Sequence, residues 1–125
     1  MPFTSLPTLN LFLCWVFLAC TSDFARGDLQ PDLSTFHQQV KPLLQKYCVE
    51  CHGRQHSEGK MRFDNIDPDI IKGEHFGKWE DTREAFNSGE MPPEKERQPT
   101  DAERSVITGW LDAEFKKAKQ YGNPN

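Results

Sequence analysis

Residues 48–52 read Cys-Val-Glu-Cys-His. Two thiols separated by two residues fall on one helical turn. There they reach the two vinyl groups of a single porphyrin, and the histidine that follows is carried beneath the iron as its proximal ligand. The pattern therefore predicts one covalently attached haem c, with thioether links at Cys48 and Cys51 and His52 on the iron.

Three other chemistries use similar residues, and each lacks something here. A thioredoxin-like redox pair follows a strand in a βαβ unit, and no such pattern surrounds Cys48. A zinc site drawing on Cys48, Cys51, His52 and His56 normally separates its ligand pairs by about a dozen residues, whereas His52 abuts Cys51. A disulfide across so short a spacing is strained and closes almost no loop.

An electron-carrying haem iron takes a second axial ligand, usually Met or His. The downstream candidates are His56, Met61, His75 and Met91. His56 and Met61 follow the attachment site too closely for the chain to pass round the porphyrin edge. Met61 also alternates with Phe63, as a packing residue would. His75 stands in Gly73-Glu74-His75-Phe76-Gly77, a flexible, solvated setting, and His37 lies on the helix before the motif, where a surface role is the default. Met91 sits in Ser88-Gly89-Glu90-Met91-Pro92-Pro93. Gly89 ends a helix in a left-handed conformation, and the prolines stiffen the loop in extended shapes. That loop presents one thioether, so Met91 is the expected distal ligand.

The elements that position these residues read as helices. Phe36, Val40, Leu43 and Tyr47 recur at helical spacing beside Leu44, and Pro42 predicts a kinked or split helix leading into Cys48. Residues 53–77 are polar and Gly-rich and contain Asp67-Pro68, which predicts a long loop; wrapped against a haem edge, such a loop is compatible with a compact domain. Trp79, Arg83 and Phe86 predict a short middle helix ending near Gly89. Thr100-Asp101-Ala102-Glu103 is a capping box. The helix it opens carries a stripe of Val106, Trp110 and Ala113, widened by Ile107, Leu111 and Phe115, with Lys116, Lys117 and Lys119 complementing the dipole near its end. The expected fold is all-α, and its core is thin unless a haem fills the middle of three helices.

The N-terminus differs in character. Leu9 to Cys20 is apolar but for Asn10, too short to span a bilayer and suited to the apolar region of a secretory signal. Ala25-Arg26-Gly27 offers small residues for cleavage, which makes residues 1–27 a signal peptide and 28–125 the domain; no Lys or Arg precedes the apolar run. Leu18-Ala19-Cys20 also partly resembles a lipoprotein site, in which Cys20 is acylated and anchors the protein. A signal peptide agrees with covalent haem attachment, which takes place outside the cytoplasm in the periplasm or an equivalent space. Contact with a membrane is expected only through such an anchor or an uncleaved signal. The net charge of −4 supplies no basic field for nucleic acid or anionic lipid.

The stretches from Val40 to Gly53, from Gly89 to Pro93 and Trp110-Leu111 resemble class I cytochromes c, and more closely the planctomycete-type cytochrome c domain. The resemblance covers about residues 34–118. It implies a small helical fold around one haem, Cys48 and Cys51 as thioether links, His52 and Met91 as iron ligands, and single-electron transfer to redox protein partners rather than enzymatic turnover. The alternatives are a haem enzyme or sensor with an open distal site, or the haem module of a separately encoded planctomycete-type complex. In that family the domain often heads a much longer chain, so a stand-alone carrier and a fragment are both expectations.

Overall fold

A computed structural model describes residues 29–122. The expected signal peptide and the acylation of Cys20 lie outside the described residues. Helix α1 (residues 33–47) opens with Asp32 as its cap, whose side chain accepts the Thr35 N–H at 2.9 Å. It runs through a π-helical turn, Phe36–Val40, into the α-helical segment Lys41–Tyr47. Pro42 has no N–H to donate and its ring crowds the carbonyl one turn back. The widened turn just upstream, where the Lys41 N–H reaches Phe36 O, relieves that crowding. The expected break at Pro42 is thus absorbed without ending the helix.

Helix α2 is Phe76–Asn87 and helix α3 is Asp101–Tyr121. The capping box of α3 forms as its sequence predicts, with Thr100 and Glu103 satisfying each other's backbone N–H groups. No strand occurs among the described residues, only an isolated bridge between His52 and Ser57. The all-α expectation holds at that level.

Each helix contributes one aromatic ring to the centre. Phe36, Trp79 and Trp110 meet with centroids 5.1–6.1 Å apart. Both indoles direct their N–H groups outward to chain segments, Trp79 to Asp67 O at 2.7 Å and Trp110 to Asp32 O at 3.1 Å. The three rings fill the middle of the helices. The apolar material missing from the helices comes from the loop. Phe63, Ile66, Ile70 and Ile71 are all buried in the same core, which is why a domain of this size closes.

The stripe on α3 is also corrected. Ile107, Trp110, Leu111, Phe115 and Ala118 are buried, Val106 is half-buried and Ala113 is exposed. The place expected for Ala113 belongs to Glu114, which is completely buried. Its Oε1 accepts the Asp32 N–H at 3.3 Å and the Lys117 ammonium at 2.9 Å, and Lys117 also donates to Gln30 O. A carboxylate survives burial when it is paired and hydrogen-bonded. Here it straps the entry to α1 onto α3.

Candidate functional site

The five residues Cys48 to His52 leave the end of α1 as a single turn, closed by the His52 N–H donating to Cys48 O at 2.8 Å. Cys48 is half-buried against the core beside Leu43, Val49 and Met61. Cys51 is exposed, and neither cysteine is in a disulfide. Burial, followed by the neighbouring Cys51, pushes the Cys48 thiol up to about 12. A redox-active cysteine needs the opposite shift. Among the described residues, no group of three or more His, Cys, Asp and Glu side chains converges as a metal site would require, which weighs against zinc at Cys48, Cys51, His52 and His56.

The orientation of His52 is set by the segment just after it. Its Nδ1 lies 2.9 Å from Glu58 O. A carbonyl only accepts, so Nδ1 carries the proton, and in the neutral ring Nε2 keeps the lone pair. This is the arrangement by which histidine ligands are held toward a metal. The Glu58 N–H to Cys51 O bond, at 3.1 Å, and the Phe63 N–H to His52 O bond, at 2.8 Å, fold residues 53–62 back under the motif. The Phe63 ring meets the imidazole edge-on, with centroids 5.7 Å apart.

Gly53 makes that fold possible. A Cβ at this position would stand 2.4 Å from Val49 O, a distance no side chain tolerates. Gly53 and the Glu58 carbonyl are parts of the site that spacing alone does not single out.

His75 has the opposite polarity. Its Nδ1 accepts the Asp67 N–H at 3.0 Å, which places the proton of the neutral ring on Nε2. A histidine in that state offers no free lone pair to iron. Met61 packs on the core, as its alternation with Phe63 suggests, whereas Met91 is half-buried in its loop and is not among the side chains packed there. The Met91 N–H donates to Ala85 O at 3.0 Å, Gly89 has φ 78°, and the Met91–Pro92 peptide bond is cis. The loop is fixed further along by Gln98, whose amide Nε2 lies 3.1 Å from Pro92 O, 2.8 Å from Pro93 O and 3.2 Å from Glu96 O.

Glu103 joins the end of α1 to the start of α3. One carboxylate oxygen accepts Lys46 Nζ at 2.7 Å; the other accepts the Tyr47 hydroxyl at 2.8 Å and the Thr100 N–H at 2.9 Å. Lys46 above all, with Thr100 and Tyr47, holds the carboxyl down at about 2.

The donor set fits a haem c. Two free thiols share one turn, the adjoining imidazole has its Nε2 lone pair free, and half-buried apolar side chains flank the turn. A comparison of the chain with protein-family models, curated proteins and solved structures finds no match in any of the three.

Proposed function

We propose that this chain is an exported c-type cytochrome that carries single electrons. The observation that carries the reading is the Cys48–His52 turn with its imidazole held by Glu58 O, a hydrogen bond that selects the metal-binding tautomer. A haem supplies one-electron chemistry between ferrous and ferric iron. The chain's own residues tether and orient it. Cys48 and Cys51 provide thioether links, His52 the proximal nitrogen and Met91 the distal sulfur. Leu43, Val49 and Met61, half-buried against the core, would offer apolar contacts to such a group. The planctomycete-type resemblance belongs to this proposal, as do the periplasmic location and redox protein partners.

The test is a visible spectrum of protein made in a host that matures haem c, oxidised and then reduced. Haem that survives acid–acetone extraction in the wild type, but is absent from Cys48→Ala/Cys51→Ala, is the expected result. The ferric form should be low-spin with a weak sulfur-to-iron band at the red end, and that band should vanish in Met91→Ala. Fully extractable haem overturns the attachment. A high-spin, peroxide-reactive ferric form replaces the carrier with the open-site enzyme or sensor.

A further inference from the structure

Met91 and Cys48 lie on different segments, and a path of polar contacts linked by short stretches of backbone joins them. It starts at the carbonyls of Pro92 and Pro93, immediately after Met91, both of which accept from Gln98 Nε2. Pro99, next in the chain, is buried. The following residue, Thr100, gives its N–H and its hydroxyl to one oxygen of Glu103, at 2.9 and 3.0 Å. That oxygen also takes the Tyr47 hydroxyl at 2.8 Å, and Tyr47 is bonded directly to Cys48. A second tie runs in parallel, with the Arg97 guanidinium 5.6 Å from the Tyr47 ring centroid.

We propose that Glu103 is a positioning residue, clamping the loop that carries Met91 onto the turn that carries Cys48, Cys51 and His52, with Gln98 holding the loop in the shape the clamp grips.

The proposal rests on the cytochrome reading. Helix capping alone explains why Glu103 meets Thr100. It does not explain why the same carboxylate takes Tyr47 and Lys46 from α1, or why three carbonyls of one loop face a single side-chain amide. Charge-assisted hydrogen bonds of this kind are the strong ones, and the carboxyl is held ionised far into acid. A thioether is a weak, exchangeable ligand, so its hold on iron depends on how firmly its loop is kept in place.

The experiment compares ferric holoprotein of the wild type with Glu103→Gln and with Gln98→Glu, which keeps the side chain's shape but turns an acceptor toward the carbonyls. Both variants should weaken the sulfur-to-iron band and bind cyanide about tenfold more tightly, the scale of one lost hydrogen bond. The reduction potential should fall as sulfur ligation weakens. Tyr47→Phe removes a single hydroxyl, and it carries the same expectation, smaller in size, should Glu103→Gln not mature with haem. Variants that melt at lower temperature, yet keep the wild-type band and cyanide affinity, overturn the clamp and leave the cytochrome reading intact. A wild type without covalent haem or without the sulfur-to-iron band overturns both.

Discussion

Residues 48–62 and 63–75 are both irregular chain, and each holds a histidine whose Nδ1 is hydrogen-bonded to the backbone. In the first stretch the partner is a carbonyl, Glu58 O, and in the second it is an N–H, that of Asp67. The two bonds are similar in length and opposite in consequence. One leaves Nε2 of the neutral ring with its lone pair; the other keeps Nε2 protonated. Burial divides the stretches in the same way. The first has only half-buried apolar groups against the core, Cys48, Val49 and Met61, while the second sinks Phe63, Ile66, Ile70 and Ile71 into it. The first presents chemistry and the second supplies the missing core. A histidine's suitability as a ligand is therefore decided by which backbone group holds its other nitrogen, a property that residue type and exposure do not reveal.

The widest separation between the two stretches should appear at the iron. His52→Ala should abolish the low-spin six-coordinate spectrum, while His75→Ala should leave it unchanged. Conversion of ferric haem to high-spin by His75→Ala would erase the distinction and make His75 the ligand. Stability should separate them in the other direction. Ile70 is completely buried, so Ile70→Ala should cost about 2–5 kcal/mol in denaturant unfolding of the holoprotein. Met61→Ala, at a half-buried position, should cost about half as much.

Much of this was legible in the sequence. The capping box of α3, the helical spacing before Cys48 and the turn from Cys48 to His52 are local features, set by residues within one or two turns of each other. What escaped depends on partners far along the chain. Glu114 reads as one more surface acid until Asp32 and Lys117 meet it. Phe63, Ile66 and Ile70 stand at helical spacing, yet the segment is not a helix, because Asp67 and Asp69 side chains cap its own N–H groups instead. The π-helical turn before Pro42 was foreseeable as a disturbance but not in its form. Glu103 was legible as a cap, though not as a tie to Tyr47 and Lys46.

A smaller effect should come from His75 itself. His75→Ala removes the acceptor of the Asp67 N–H, and water can take its place there, so the expected loss is about 1 kcal/mol. The same residue's carbonyl still receives the Trp79 indole. Amide exchange should therefore quicken at Asp67 and stay slow in α2. Faster exchange through the whole of α2 would show that His75, and not Trp79, anchors the second stretch.

A loss of similar size is expected in the first stretch, at the turn that holds Glu58 O against His52. Gly59 has φ 62° and Lys60 has φ 61°, so two successive residues stand in the left-handed region. A Cβ at Gly59 would meet nothing within 4 Å, and Gly59→Ala therefore introduces no clash. Its cost is conformational alone, about 1 kcal/mol or slightly more for an alanine held in that region. The strain falls one residue after the carbonyl that fixes the His52 tautomer. If that carbonyl is the orienting group, Gly59→Ala should leave haem attachment unchanged and lower the melting temperature by about 5 °C. It should still shift the reduction potential and the imidazole proton resonance of His52 in the reduced protein. Lys60→Gly, which relieves the same region, should restore stability in the double variant. A Gly59→Ala protein whose His52 resonance and potential match the wild type would mean that the His52 ring is held by Phe63 packing instead of by the Glu58 carbonyl.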